Sequence, residues 1–267
     1  MASNAQMAEI RSATGELVRL AGRDLDDFWN ALFRSLSPTD FRDELLRFYP
    51  DLITTYGDTA GVLGADWYDL MTRAKRQGVS AAQFRATIAM PAPDEQSIGS
   101  AKWALGPLFD EQADSTMTLA RLHGSMQRLV MQPFRDSIWF AAASDPVRTG
   151  VLRRPTGAET CKFCVMLASR GPVYSYRASG ASSAGAVVGR GSTRSGFDEA
   201  GVRLSGGIGQ GIQARGRQEL GNDFHDDCNC EVVVIQSAGD IPEDYDQQKY
   251  LELYQQKSGV GRDIPVD

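Results

Sequence analysis

From Glu16 to Leu36 the apolar positions fall at Leu17, Leu20, Ala21, Leu25, Phe28, Leu32, Phe33 and Leu36. Steps of three and four residues predict an amphipathic helix with one face toward a core. Ser37-Pro38 predicts a fresh helix start, with serine as N-cap, proline at the first helical position and Asp40 in the first turn. Phe41, Leu45, Leu46 and Phe48 continue it, and Pro50 is expected to break or kink the run. A further helical segment is read through Tyr56, Val62, Trp67, Leu70 and Met71, ending near Gly78. Met90-Pro91-Ala92-Pro93 predicts a short loop, and Trp103, Leu105, Leu108 and Phe109 another helix. The longest run is read from Glu111 to Ala143, with Met117, Leu119, Leu122, Met126, Leu129, Val130, Phe134, Ile138 and Trp139, and with Pro133 as a kink. At this spacing the methionines and aromatics read as bundle core rather than cofactor contacts.

The texture changes at Asp145-Pro146. Val147 to Arg154 predicts a strand, Cys161 to Ala168 a turn leading into a helix, and Glu231-Val232-Val233-Val234-Ile235 a buried strand. Asp244 to Lys257 predicts a short polar helix with Tyr245, Tyr250, Leu251 and Tyr254, and the tail after Gly259 reads as loose. Between these lies 177–222, where 12 of 46 residues are glycine and no apolar periodicity survives, so a long loop is expected. The fold class is therefore α+β. A helical domain is expected over 1–145, a small zinc-stabilised α+β domain over 146–240 carrying the glycine-rich loop, and a terminal helix and tail over 241–267.

Composition narrows the function. An apolar content of 42% supports a packed core, and no stretch approaches 18 uninterrupted apolar residues, so no membrane span is expected. A net charge of −6 argues against a general nucleic-acid binder. The loop is the exception: six arginines (Arg177, Arg190, Arg194, Arg203, Arg215, Arg217) against Asp198, Glu199 and Glu219 leave it at net +3. It reads as a solvated linker or, alternatively, as an arm touching DNA phosphates or an acidic partner.

All 4 cysteines fall in one pattern with one of the 2 histidines. Cys161 and Cys164 form C-x-x-C, and about sixty residues on comes His225-Asp226-Asp227-Cys228-Asn229-Cys230. Zn²⁺ takes four ligands in a tetrahedron and prefers thiolate and imidazole, and two short chelating segments brought together by the fold suit it. Cys228 and Cys230, two apart, share one side of an extended strand. Five candidates compete for four places: Cys161 and Cys164 with two of His225, Cys228 and Cys230. Buried or disulfide-bonded thiols are the alternative. The polar opening from Met1 to Glu16 has no apolar signal core, so a reducing compartment is expected and disulfides are disfavoured. Structural zinc contributes roughly 10–16 kcal/mol in small peptides, enough to decide folding of a glycine-rich half-domain.

Enzyme readings find little. There is no H-E-x-x-H, and Glu159-Thr160-Cys161 has neither the proline nor the upstream H-x-E of a zinc deaminase. Gly206-Gly207-Ile208-Gly209-Gln210-Gly211 lacks the Lys-Ser/Thr of a P-loop. His123 sits inside the long helical run and reads as a packed or surface residue. With five potential ligands the zinc site reads as closed, hence structural. An open site flanked by Asp223, Asp226 or Asp227 would instead suit a zinc-dependent nuclease or a toxin-like enzyme.

Thr160 to Tyr174 (Thr-Cys-Lys-Phe-Cys-Val-Met-Leu-Ala-Ser-Arg-Gly-Pro-Val-Tyr), followed by Phe224-His225-Asp226-Asp227-Cys228-Asn229-Cys230, resembles the MuF-like minor capsid, or head morphogenesis, proteins of tailed bacteriophages, most of all those of actinobacteriophages. Many members carry C-x-x-C and then H-P-x-C-R-C; here Asp226 and Asn229 replace the proline and arginine, leaving the candidate ligands intact. The resemblance is specific over 155–235. It implies a low-copy protein of the virion, at the portal or capsid interior; with a closed zinc site and no protease constellation in this sequence, no enzymatic activity is expected. Its helical half would dock to portal, major capsid or scaffold protein, its zinc module would be compact, and Arg190, Arg194, Arg203, Arg215 and Arg217 could contact genomic DNA.

Overall fold

The computed structural model describes residues 4–73, 83–147, 149–156, 159–160, 162–169, 171, 230–256 and 264–265. Helix α1 spans Asn4–Leu32 and begins a full three turns before the expected stripe, with Met7 already buried. Leu17, Ala21, Leu25 and Trp29 recur every four residues and are buried together. Helix α2, Pro38–Arg73, starts as the sequence predicts: Ser37 Oγ accepts from the Asp40 amide at 3.2 Å and donates to its carboxylate at 2.7 Å.

One proline expectation needs correction: α2 runs on through Pro50 without a break, as α4 (Ser115–Ser144) does through Pro133. Each removes one i→i−4 hydrogen bond at a cost of about 3 kcal/mol. The buried Tyr49, Leu52 and Ile53 flank the first and Val130, Met131 and Phe134 the second, and their packing offsets that loss. At 36 residues α2, not the 30-residue α4, is the longest helix described. The segment after the proline loop also differs. Helix α3, Asp94–Ala104, ends at Leu105, and Gly106–Phe109 forms a 3-10 turn. Trp103, Phe109 and Met117 are half exposed rather than core, and the Arg121 guanidinium lies 4.9 Å from the Trp103 ring centre.

Helices α2 and α4 make the main crossing, and α1 and α3 pack against them. Buried polar groups tie the layers. Tyr49 Oη lies 2.7 Å from Ser125 Oγ and donates to the Leu122 carbonyl, and Tyr68 donates to Asp145 at 2.8 Å. Asp145 closes α4, its other carboxylate oxygen accepting from the Val147 amide at 2.8 Å.

The chain then enters a small sheet. Strand β1, Gly150–Arg154, pairs antiparallel with β3, Glu231–Ile235, from Gly150 opposite Ile235 to Arg154 opposite Glu231. A second two-residue ladder joins β2, Glu159–Thr160, to β4, Ile264–Pro265, so the chain beyond Gly259 is paired at this point rather than loose throughout. Helix α5 spans Lys162–Ala168 and α6 spans Gln247–Gln256. The fold is α+β and mostly helical. Val151, Leu152 and Val232 to Ile235 join the same apolar core as Leu129, Val130 and Ile138 of α4.

Candidate metal centre

Cys164 is buried on α5, beside Val165, Leu167 and Ala168. The helix is held from one side by α6: Tyr250 packs on Val165 and Ala168, Tyr245 donates to the Ala168 carbonyl, and Gln247 Nε2 donates to Ser169 O at 3.1 Å. Just past the helix, Gly171 adopts φ +70°, a backbone conformation that favours glycine, with the Gln247 side-chain amide beside it.

Cys230, also buried, leads into β3. The next residue opens β3, which pairs with β1, and β1 packs on α5. Burial pushes the Tyr250 phenol above its ordinary value, with the Asp244 carboxylate and Cys230 adding to the rise.

Of the five candidate ligands, Cys164 and Cys230 are described, and each is buried. Cys161, His225 and Cys228 lie outside the described residues, as does the loop 177–222 with Arg190, Arg194, Arg203, Arg215 and Arg217. Among the described residues no group of three or more His, Cys, Asp and Glu side chains gathers. The two that are described fit zinc in kind: buried sulfur donors beside apolar side chains and a tyrosine.

Sequence reasoning missed the charged cluster next to this centre. Glu231 is largely buried, and burial raises its carboxyl above the ordinary range while Arg11 and Arg154 pull it back. Arg11 Nε stands 2.8 Å from Glu231 Oε1 yet directs its hydrogen to the Met7 carbonyl at 3.2 Å, so the contact is an ion pair without an aligned hydrogen bond. Arg154 lies 3.8 Å from the other carboxylate oxygen and bonds Asp244. Arg11 and Glu231 border a cavity of about 420 Å³ between α1, α2, α4 and β3, walled by Ile10, Trp67, Met131 and Phe134 and including Arg135 and Cys230. The only signal in the sequence was an acid at the head of an apolar run; its partner Arg11 lies 220 positions away. His123 pairs with Asp26 at 2.8 Å on the bundle flank, remote in sequence from the cysteines.

A mostly helical layer packs against a small two-stranded sheet, with one buried thiol on α5 and one just before β3. The sequence model of the VG15 protein family matches residues 1–257, and the chain belongs to this viral family. No curated protein matches the chain, and no solved structure does. Among the described residues no helix is long and apolar enough to cross a membrane.

Proposed function

We propose that this protein is a non-enzymatic minor capsid component of a tailed phage, of the MuF-like, actinobacteriophage type, acting in head assembly at the portal or inner capsid. The observation that carries the reading is the match of a viral family across 1–257, joined to a cysteine pattern that resembles the MuF-like proteins. The helical half supplies the docking body for portal, major capsid or scaffold protein. The module that follows is held by structural zinc on four of Cys161, Cys164, His225, Cys228 and Cys230. Support for the metal comes from Cys164 and Cys230, both buried on elements that pack around β1. Bound there, zinc would cross-link the chain on either side of the glycine-rich segment.

Quantitative mass spectrometry of purified particles tests the role. A few copies per particle, equal in empty and DNA-filled heads, is the expected result. Complete absence from particles would overturn it, and copies lost with the genome would mark an ejected protein instead.

A further inference from the structure

Residues 83–93 run as an extended strap along α2. Pro91 packs at Gly57, Ala89 and Ile88 at Gly61, and the Ala86 amide donates to Asp69 Oδ1 at 3.2 Å. The inner side of the strap is fixed: Ala89 is buried and its amide donates to Ser137 Oγ. The outer side is not covered by the described residues. Met90 is 79% exposed, Ile88 52%, and Val62, the neighbour of Gly61 on α2, 44%. Ile88 lies against α2 beside Val62, since a Cβ on the preceding Gly61 would stand 3.3 Å from the Ile88 Cγ2 atom, and Met90 follows two residues along the extended strap. Large apolar side chains exposed together, with polar groups around them, mark interaction surfaces.

The charges of the flanking stretches on α2 and at the start of α3 are acidic. Residues 48–72 contain Asp51, Asp58, Asp66 and Asp69 and no lysine or arginine, and residues 86–101 contain Asp94 and Glu95 and again no base. Asp58 and Asp66 are exposed one turn to either side of Val62, and Asp94 and Glu95 open α3 just beyond the strap. The base on the strap, Arg85, donates to the Phe84 carbonyl at 2.9 Å. On α2 the nearest bases, Arg47 and Arg73, stand roughly 16 Å or more along the axis from Val62.

We propose that Val62, Ile88 and Met90, with this carboxylate rim, form a docking face for a cationic protein segment that carries apolar anchors. A nucleic acid does not suit it, since phosphates would meet the same charge. A second copy does not suit it either, since a two-fold contact would bring one acidic rim against another. A lysine- or arginine-bearing segment gains from both features: its apolar anchors cover Met90 and Ile88, and its charges meet the carboxylates. The face lies on the helical half, and its own apolar and acidic side chains set its occupant whether or not the head-assembly reading holds.

The test uses the full chain and a fluorescein-labelled leucine–lysine peptide patterned as an amphipathic helix, with a leucine–glutamate peptide as control, followed by fluorescence anisotropy. The lysine peptide is expected to bind and the glutamate peptide not. Ile88→Ser with Met90→Ser should weaken binding about tenfold or more, as loss of two anchors implies. Asp58→Asn with Asp66→Asn should weaken it and flatten its salt dependence. All four positions are exposed, so circular dichroism of the variants should match the parent. Unchanged affinity in the Ile88/Met90 variant, or equal binding of the glutamate peptide, would overturn the proposal. So would a concentration-dependent dimer in sedimentation that Met90→Ser abolishes.

Discussion

Gly64 on α2 lies against the backbone of Phe134 on α4 so closely that a methyl group at Gly64 would stand 2.2 Å from the Phe134 carbonyl oxygen. Gly57 and Gly61 meet Pro133 on the same side. The two long helices thus cross with backbone against backbone, next to the residue where Pro133 interrupts the hydrogen-bond ladder. Gly64→Ala forces the helices apart and is expected to cost about 3 kcal/mol, lowering Tm by roughly 6–12 °C. Gly99→Ala, with nothing within 4 Å of its Cβ, should be neutral or stabilise by about 0.5–1 kcal/mol. Parallel thermal unfolding of the two variants checks the contrast; equal Tm values would refute the crossing.

Ser137 clips three segments with one hydroxyl. Its Oγ accepts from the Ala89 amide at 2.9 Å and donates to the Gly61 carbonyl at 2.9 Å, fully buried. Ser137→Ala strands the Ala89 amide and takes the second donor from the Gly61 carbonyl, and is expected to cost about 1–3 kcal/mol. Hydrogen exchange should then quicken at Ala89 ahead of the helix interiors, and an unaltered Ala89 rate would count against the clip.

The Tyr56 phenol donates to Asp24 Oδ2 at 2.5 Å, joining α2 to α1. That hydrogen bond, then burial and the Asp24 charge, raises the phenol above its ordinary value. A raised group stabilises the fold below its unfolded value near pH 10, and the contribution is lost as pH climbs through the higher folded value. Stability should therefore fall on the alkaline side in the parent, and Tyr56→Phe should show a shallower fall. Denaturant titrations at neutral and strongly alkaline pH decide it: parallel pH curves for the two proteins would exclude the link.

Metal content tests the proposed centre. Cys164→Ser or Cys230→Ser should lower zinc, measured by elemental mass spectrometry, from one per chain to well below one. Helical circular dichroism should largely persist, because α1, α2 and α4 bury Leu25, Leu45, Ile53 and Leu129 among themselves. A parent protein purified without zinc, or variants that keep it in full, would remove the structural-zinc reading.

The helical stripes were readable because burial on one face imposes a local period: Leu17, Ala21 and Leu25 lie under the bundle as their spacing requires. The cap at Ser37 was readable for the same reason, since its partner Asp40 is three residues away. Pro50 misled because its local penalty was visible while the packing of Tyr49 and Ile53 that outweighs it was not. Trp103 misled in the other direction, since apolar character alone does not say that Arg121 covers its ring from outside the core.

The sequence by itself determined the helical elements, the strand at Glu231–Ile235, the α+β class and the residue types able to hold zinc, because each depends on neighbours a few positions apart. Only the tertiary structure decided that β3 pairs with β1 across some eighty residues, that Glu231 meets Arg11, and that Gly64 of α2 admits Phe134. Those relations are set by chain crossings, where close packing and the burial of charge depend on which distant residues meet.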